Sequence, residues 1–146
     1  MPLGDLADLA NTGLYLLEGD YSNACISAAA MVPFLGSFAT GGKIAEKGFS
    51  SYYKFRNAYG KAGNGMEWHH IVEQRSANIS QFGAEKIHNI DNMIAIPTDV
   101  HRKISGHYSS KPSFTEGLTV RKWLESQTFE EQFNYGIKIL KDYGCY

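Results

Sequence analysis

The stretch MEWHHIVEQRSANISQFGAEKIHNIDNMIAIPTDVHRKIS, residues 66–105, decides the fold. Its opening, MEWHHIVEQ at Met66–Gln74, has the extended, β-branched look of a strand, and MIAIP at Met93–Pro97 looks like a second, shorter one. Between them Arg75–Phe82 reads as a short helix ended by Gly83. Thr98 is a natural N-cap for a helix running through His101 and Ile104. The order strand, strand, helix therefore emerges before any other part of the chain is consulted.

Working outward, Ser113 with Glu116 forms a capping-box pattern before LTVRKWL, and Thr128 with Glu131 forms another before FNYGIKIL, so two more helices are expected. Upstream, Gly48–Tyr59 carries Phe49, Tyr52, Tyr53, Phe55 and Tyr59 among Lys54 and Arg56, and YGKAGNG at Tyr59–Gly65 reads as a linker or hairpin loop. Further back, Leu6, Leu9, Ala10, Gly13, Leu14 and Leu17 recur at three and four, the stripe of an amphipathic helix. Gly19 stops it and Asp20 can cap a second helix. Tyr21–Gly42 has no charge and spans about the length that could cross a bilayer, but Pro33 and its Ala, Ser and Gly content favour a buried helical hairpin. No stable membrane span is expected. The chain is thus read as α+β and mostly helical, with a helical region and linker at 1–60 and a second domain at 61–146.

At 146 residues, with 43% hydrophobic and 20% charged residues, the composition suits a folded domain and excludes collagen-like, disordered and disulfide-scaffold chains. A chain of this size hides about 68% of its unfolded surface, so a core forms without metal or disulfide staples. The net charge of −1 conceals segregation. Residues 1–42 carry four acids and no Lys or Arg; 43–61 carry five cations against Glu46, and 101–122 five against Glu116. Cys25 and Cys145 lie far apart, form no CxxC pair and outline neither a zinc ribbon nor a disulfide framework, so a reducing environment is the default expectation. MPLGDLADLA lacks the basic start and apolar core of an export signal.

All five histidines, at 69, 70, 88, 101 and 107, fall within 39 residues. Adjacent His69 and His70 point to opposite faces of a strand, and a bend or bulge is needed for both to serve one site. That division suits phosphodiester hydrolysis, which needs a base near neutral pH to take a proton from water and a cation on the phosphate and leaving oxygen. Histidine does the first and can hold the ion for the second. Asn92 opens the second strand and His101 follows nine residues later in the helix.

WHHIVEQ at Trp68–Gln74 followed by DNMIAIPTDVH at Asp91–His101 resembles the HNH nucleases, and particularly the toxin nucleases with a Trp-His-His signature. The resemblance implies a ββα-metal finger of two short antiparallel strands and a helix. It further implies that His70 is the general base, that His69 and His101 bind one divalent ion (Mg²⁺ or Zn²⁺), and that Asn92 either orients His70 or joins the metal shell. A further histidine sometimes found four residues beyond the helical ligand is replaced by Ser105, which favours an open site over a closed structural zinc site. Residues 5–43 are similar to the helical pre-toxin segment that precedes variable toxin domains in bacterial polymorphic toxins. The implied role is a secreted or contact-delivered endonuclease, part of a larger toxin, acting in the target-cell cytoplasm. DNA is the favoured substrate and RNA the alternative; a cognate immunity protein is implied as partner.

Other readings accompany this one. The histidines could serve a non-catalytic zinc-binding module, and Tyr21–Gly42 a membrane-active toxin. Glu73 is a candidate supporting residue, and Trp68 a packing anchor. Lys54, Arg56 and Lys61, with Arg102 and Lys103, are candidate nucleic-acid contacts, although the run at 49–61 equally suits core packing with a solvated basic face. The same cations would attract an acidic immunity protein. His88 and His107 are read as surface or hydrogen-bonded structural histidines.

Overall fold

A computed structural model describes residues 47–146; the helical reading of the front third, the Tyr21–Gly42 hairpin and Cys25 lie outside the described residues. The first helix, α1 (Tyr52–Tyr59), starts where the Ser51 side chain accepts the Lys54 N–H at 3.1 Å. It stops at Gly60, whose φ of 82° a side-chain-bearing residue would resist. Strand β1 (Met66–His70) pairs antiparallel with β2 (Met93–Pro97), in a register running from Met66 opposite Pro97 to His70 opposite Met93. Between the strands lie α2 (Ser76–Phe82), ended by Gly83 as expected, then α3 (Ala84–Ile87) and a 3₁₀ turn at Ile90–Asn92. After β2 come α4 (Thr98–Ser109), a 3₁₀ turn at Ser113–Thr115, α5 (Val120–Leu124) and α6 (Phe129–Asp142). The described residues therefore form an α+β fold around a two-stranded sheet.

Alternation along the strands divides the core. Met66, Trp68, Met93 and Ala95 face α1, where they pack with Phe49, Phe55, Tyr59 and Ala62. Ile94 and Ile96 face the opposite side, with Val100 and Ile104 of α4, Val120 and Leu124 of α5, and Ile139 and Leu140 of α6. Trp68 is the packing anchor expected: its ring meets Phe55 edge-on at 5.1 Å and its Nε1–H donates to the Gly60 carbonyl at 3.0 Å. Phe55 is wholly buried against it, a burial contributing about 1.5–3 kcal/mol. The expected boundary at 60/61 consequently falls between residues that share one core.

Several local expectations change. β1 ends at His70 instead of running to Gln74, because its partner strand begins only at Met93. Past that point the Asn92 side chain takes over the backbone of Val72. Thr98 is the first residue of α4, not its N-cap, and its hydroxyl donates to the Gly65 carbonyl at 3.2 Å. Ser113 opens only a 3₁₀ turn, stopped by Glu116 at φ 54°, so Thr119 caps α5 instead. The Thr128–Glu131 capping box forms as read. Among the described residues no helix is long and apolar enough to cross a membrane.

Candidate functional site

The site is built where β1 ends. Its register with β2 is continuous, with no bulge at the histidine pair, so His69 and His70 leave the strand on opposite faces. His69 turns toward α4 and meets His101 with ring centroids 5.3 Å apart. His70 turns toward α1, where it lies 5.5 Å from the Tyr52 ring and 3.1 Å, Nε2 to Nδ1, from His88. Because His70 is the last strand residue, both rings still border one small recess of about 150 Å³, shared with Glu73, Gln74, His101, Ser105 and Tyr108.

Burial sets the protonation of the pair. Desolvation pushes His69 down to about 3, assisted by the neighbouring His101 and His70. It pushes His70 down to about 3 as well, with His88 and then His101 adding to the effect. Both rings are neutral at neutral pH, the state in which imidazole accepts a proton or binds a cation. His88 is likewise shifted down by burial.

His101 is oriented by a residue the sequence reading passed over. Its Nδ1 faces the Glu67 carboxylate, two positions before His69 on the same strand face. A carboxylate has no proton to give, so the ring donates from Nδ1. Such an outer carboxylate fixes the tautomer of metal-binding histidines generally. His69 Nε2 adds a second fitting feature: it is buried and has no hydrogen-bond partner. Among the described residues no three His, Cys, Asp or Glu side chains are grouped to hold a metal ion. The side chains in this recess whose chemistry fits a divalent ion are His69 and His101.

Asn92 is almost wholly buried, and its amide bonds backbone through both its oxygen and its nitrogen. Its Oδ1 accepts the Val72 N–H at 2.8 Å, while Nδ2 donates to the Val72 carbonyl at 3.0 Å and the Ile87 carbonyl at 2.9 Å. Of the two roles left open for it, this geometry matches positioning of the chain after His70. Glu73 borders the recess, but both its oxygens are held by Arg121, at 3.2 Å from Nε and 3.0 Å from Nη2. It therefore ties the post-strand loop to α5.

Of the candidate cations, Arg56 and Lys61 line a larger recess of about 400 Å³ together with Tyr52, Glu67, Gln74 and His101. Gln74 and His101 border both recesses, so the basic one opens beside the histidines. Lys54 instead lines a separate recess with Lys47 and Lys86. Arg102 is exposed, 3.8 Å from Asp99, and neither it nor Lys103 borders the histidine recesses.

Tyr108, like Glu67, is a residue sequence reasoning missed, while His88, read as a surface or hydrogen-bonded histidine, is buried and bonds His70. The chain at 47–49 pairs with 88–90, Phe49 N–H donating to the His88 carbonyl at 3.2 Å, and this holds His88 against His70. Nothing local in HNID signals that contact. Tyr108 did carry a signal, since it lies seven residues after His101 on one helix face. His107 points elsewhere, 2.7 Å from the Tyr135 hydroxyl, as a hydrogen-bonded structural histidine should. No protein-family model, curated protein or solved structure matches the chain.

Proposed function

We propose that this chain is a metal-dependent endonuclease, a toxin hydrolysing phosphodiester bonds of nucleic acid, DNA in preference to RNA, and that β1, β2 and α4 are its ββα-metal finger. One observation carries the reading: two neutral histidines from the end of a strand and a third from the following helix share a recess beside a basic groove. Antiparallel β1 and β2 with α4 packed on both is the geometry such a finger requires.

In this reading a phosphodiester lies along the groove with its charge facing Arg56 and Lys61. Neither cation has an ion-pair partner among the described residues. His70 takes a proton from the attacking water, with His88 and Tyr52 holding its ring. The bound phosphate anion raises the proton affinity of His70 toward the working range, since opposite charge favours imidazolium. His69 and His101 would hold a divalent ion, which when bound would supply positive charge to the phosphate and leaving oxygen. Glu67 keeps the His101 tautomer, and Asn92 keeps the chain after His70 in place.

The same cations suit an acidic immunity protein, whose association would slow with added salt. Secretion or contact delivery within a larger toxin belongs to this proposal too.

The test is incubation of purified chain with plasmid and with total RNA, each with Mg²⁺, Zn²⁺ or EDTA, alongside His70→Asn. Cleavage that requires metal and disappears in a folded His70→Asn protein is expected. Metal-independent cleavage, or none of either substrate, overturns the reading. Unfolding on chelation would favour a structural zinc module instead.

A further inference from the structure

Helix α1 and the residues just before it carry five aromatic side chains, and packing uses four of them. Phe49, Phe55 and Tyr59 are buried together, with Phe49 edge-on to both others at 5.9 Å. Tyr52 stacks on Phe55 at 6.2 Å and lies against His70 at 5.5 Å. Tyr53 is left over. It is 73% exposed, and among the described residues its ring meets no other aromatic ring and its hydroxyl has no partner. An exposed tyrosine taken alone is ordinary; this one walls a recess of about 340 Å³ together with Tyr52, Arg56, Asn57, Gly60 and Lys61.

Three of those residues, Tyr52, Arg56 and Lys61, also border the basic groove of about 400 Å³ that opens beside the histidines. The two recesses are therefore neighbours, with both cations between them. Helix geometry produces this order, since Tyr53, Arg56, Asn57 and Gly60 stand at i, i+3, i+4 and i+7 and so share a face. Gly60 adds a wall of bare backbone, tied to the core by the bond its carbonyl accepts from Trp68 Nε1. The volume lies at the lower end of the range for small-ligand sites, about 300–1,000 Å³. Its chemistry suits one kind of occupant. A nucleotide chain sets phosphates against cations and stacks its bases on aromatic faces, whichever base is present. Asn57, whose amide also has no partner among the described residues, offers a donor and an acceptor to the edge of a base.

We infer that the recess beside Tyr53 receives an unpaired nucleobase, stacked on the Tyr53 ring while the adjoining phosphate meets Arg56 and Lys61. The inference rests on the nuclease reading and names its substrate class, single-stranded nucleic acid. Inside a duplex both faces of a base are covered by its neighbours, so this ring gains nothing from paired strands unless a base is turned out of the stack.

The test is binding of the full chain, in EDTA, to three dye-labelled probes followed by fluorescence anisotropy: oligo(dT), a duplex of the same length, and an abasic strand with the same number of phosphates. Tyr53→Ala is expected to weaken oligo(dT) binding about 10-fold and to leave the duplex and the abasic strand within about twofold. Tyr53→Phe, which keeps the ring, binds oligo(dT) as the unsubstituted chain does. Arg56→Ala weakens all three, because phosphates are common to them. The exposed position of Tyr53 leaves the fold intact on substitution, which an unchanged melting temperature checks. Unaltered oligo(dT) binding by Tyr53→Ala overturns the inference and leaves the ring to a protein partner. An equal loss on all three probes, a Tyr53→Phe protein that binds no better than Tyr53→Ala, or no measurable binding of oligo(dT) overturns it as well. If the unsubstituted chain with metal cleaves neither plasmid nor RNA, the nuclease reading fails, and the anisotropy measurements still decide whether Tyr53 stacks on a base.

Discussion

Replacing Asn92 by alanine isolates the residue that holds the candidate base in place. In the structure its amide satisfies three backbone groups: the Val72 N–H, the Val72 carbonyl and the Ile87 carbonyl. Asn92 is 1% exposed, so alanine leaves those groups in a site that solvent does not reach. Each buried unsatisfied group costs about 1–3 kcal/mol, giving a loss of about 3 kcal/mol or more. That is a large fraction of the 5–15 kcal/mol by which domains are typically stable. Urea unfolding followed by the fluorescence of Trp68 and Trp123 measures it directly. With an m-value of about 1.5 kcal/mol/M the midpoint falls by about 2 M. Metal affinity of the molecules still folded should change little, because the amide is buried and turned to the backbone of Val72 and Ile87. A midpoint shift below about 0.5 M refutes the accounting, and a collapse of metal affinity in folded protein would return Asn92 to the metal shell.

Glu67→Gln should weaken metal binding about 10–100-fold with the fold intact, since the carboxylate orients His101 from outside the shell; calorimetric titration with an unchanged affinity would refute that role. Gly136→Ala should destabilise by about 1–3 kcal/mol in the same urea assay, because an added Cβ would lie 2.6 Å from the Ile71 carbonyl oxygen, where α6 crosses the chain beside His70. Acid should unfold the chelator-treated protein early. His69 and His70 sit near 3 when folded, against 6.5 for a free histidine, so the stability they support is whole above pH 6.5 and declines as pH falls toward 3. The unfolded chain binds the extra protons, at about 1.4 kcal/mol per pH unit for each ring. Urea midpoints that stay flat between pH 6.5 and 5 contradict the burial of the pair.

Much of the scaffold was legible because it is local. The short strand at MIAIP, the stop at Gly83 and the Thr128–Glu131 capping box each depend on neighbours a few residues away, and each forms where it was read. The histidines that line the recess, His69, His70 and His101, were legible too, from residue type and order. Chain pattern determined that much by itself. Tertiary structure decided the rest, because partners distant in sequence supply it. The strand stops at His70 since β2 has no residue left to pair with it. Asn92 is spent on Val72, twenty positions away, and His88 is brought to His70 by the chain at 47–49. The linker reading of Tyr59–Gly65 took loop composition for a boundary, whereas Phe55 and Tyr59 close over Trp68 across it. Whether Arg56 and Lys61, rather than Lys54, Arg102 or Lys103, border the histidines could not follow from charge counts. Like charges are alike in a sequence, and only packing chooses which of them faces the groove.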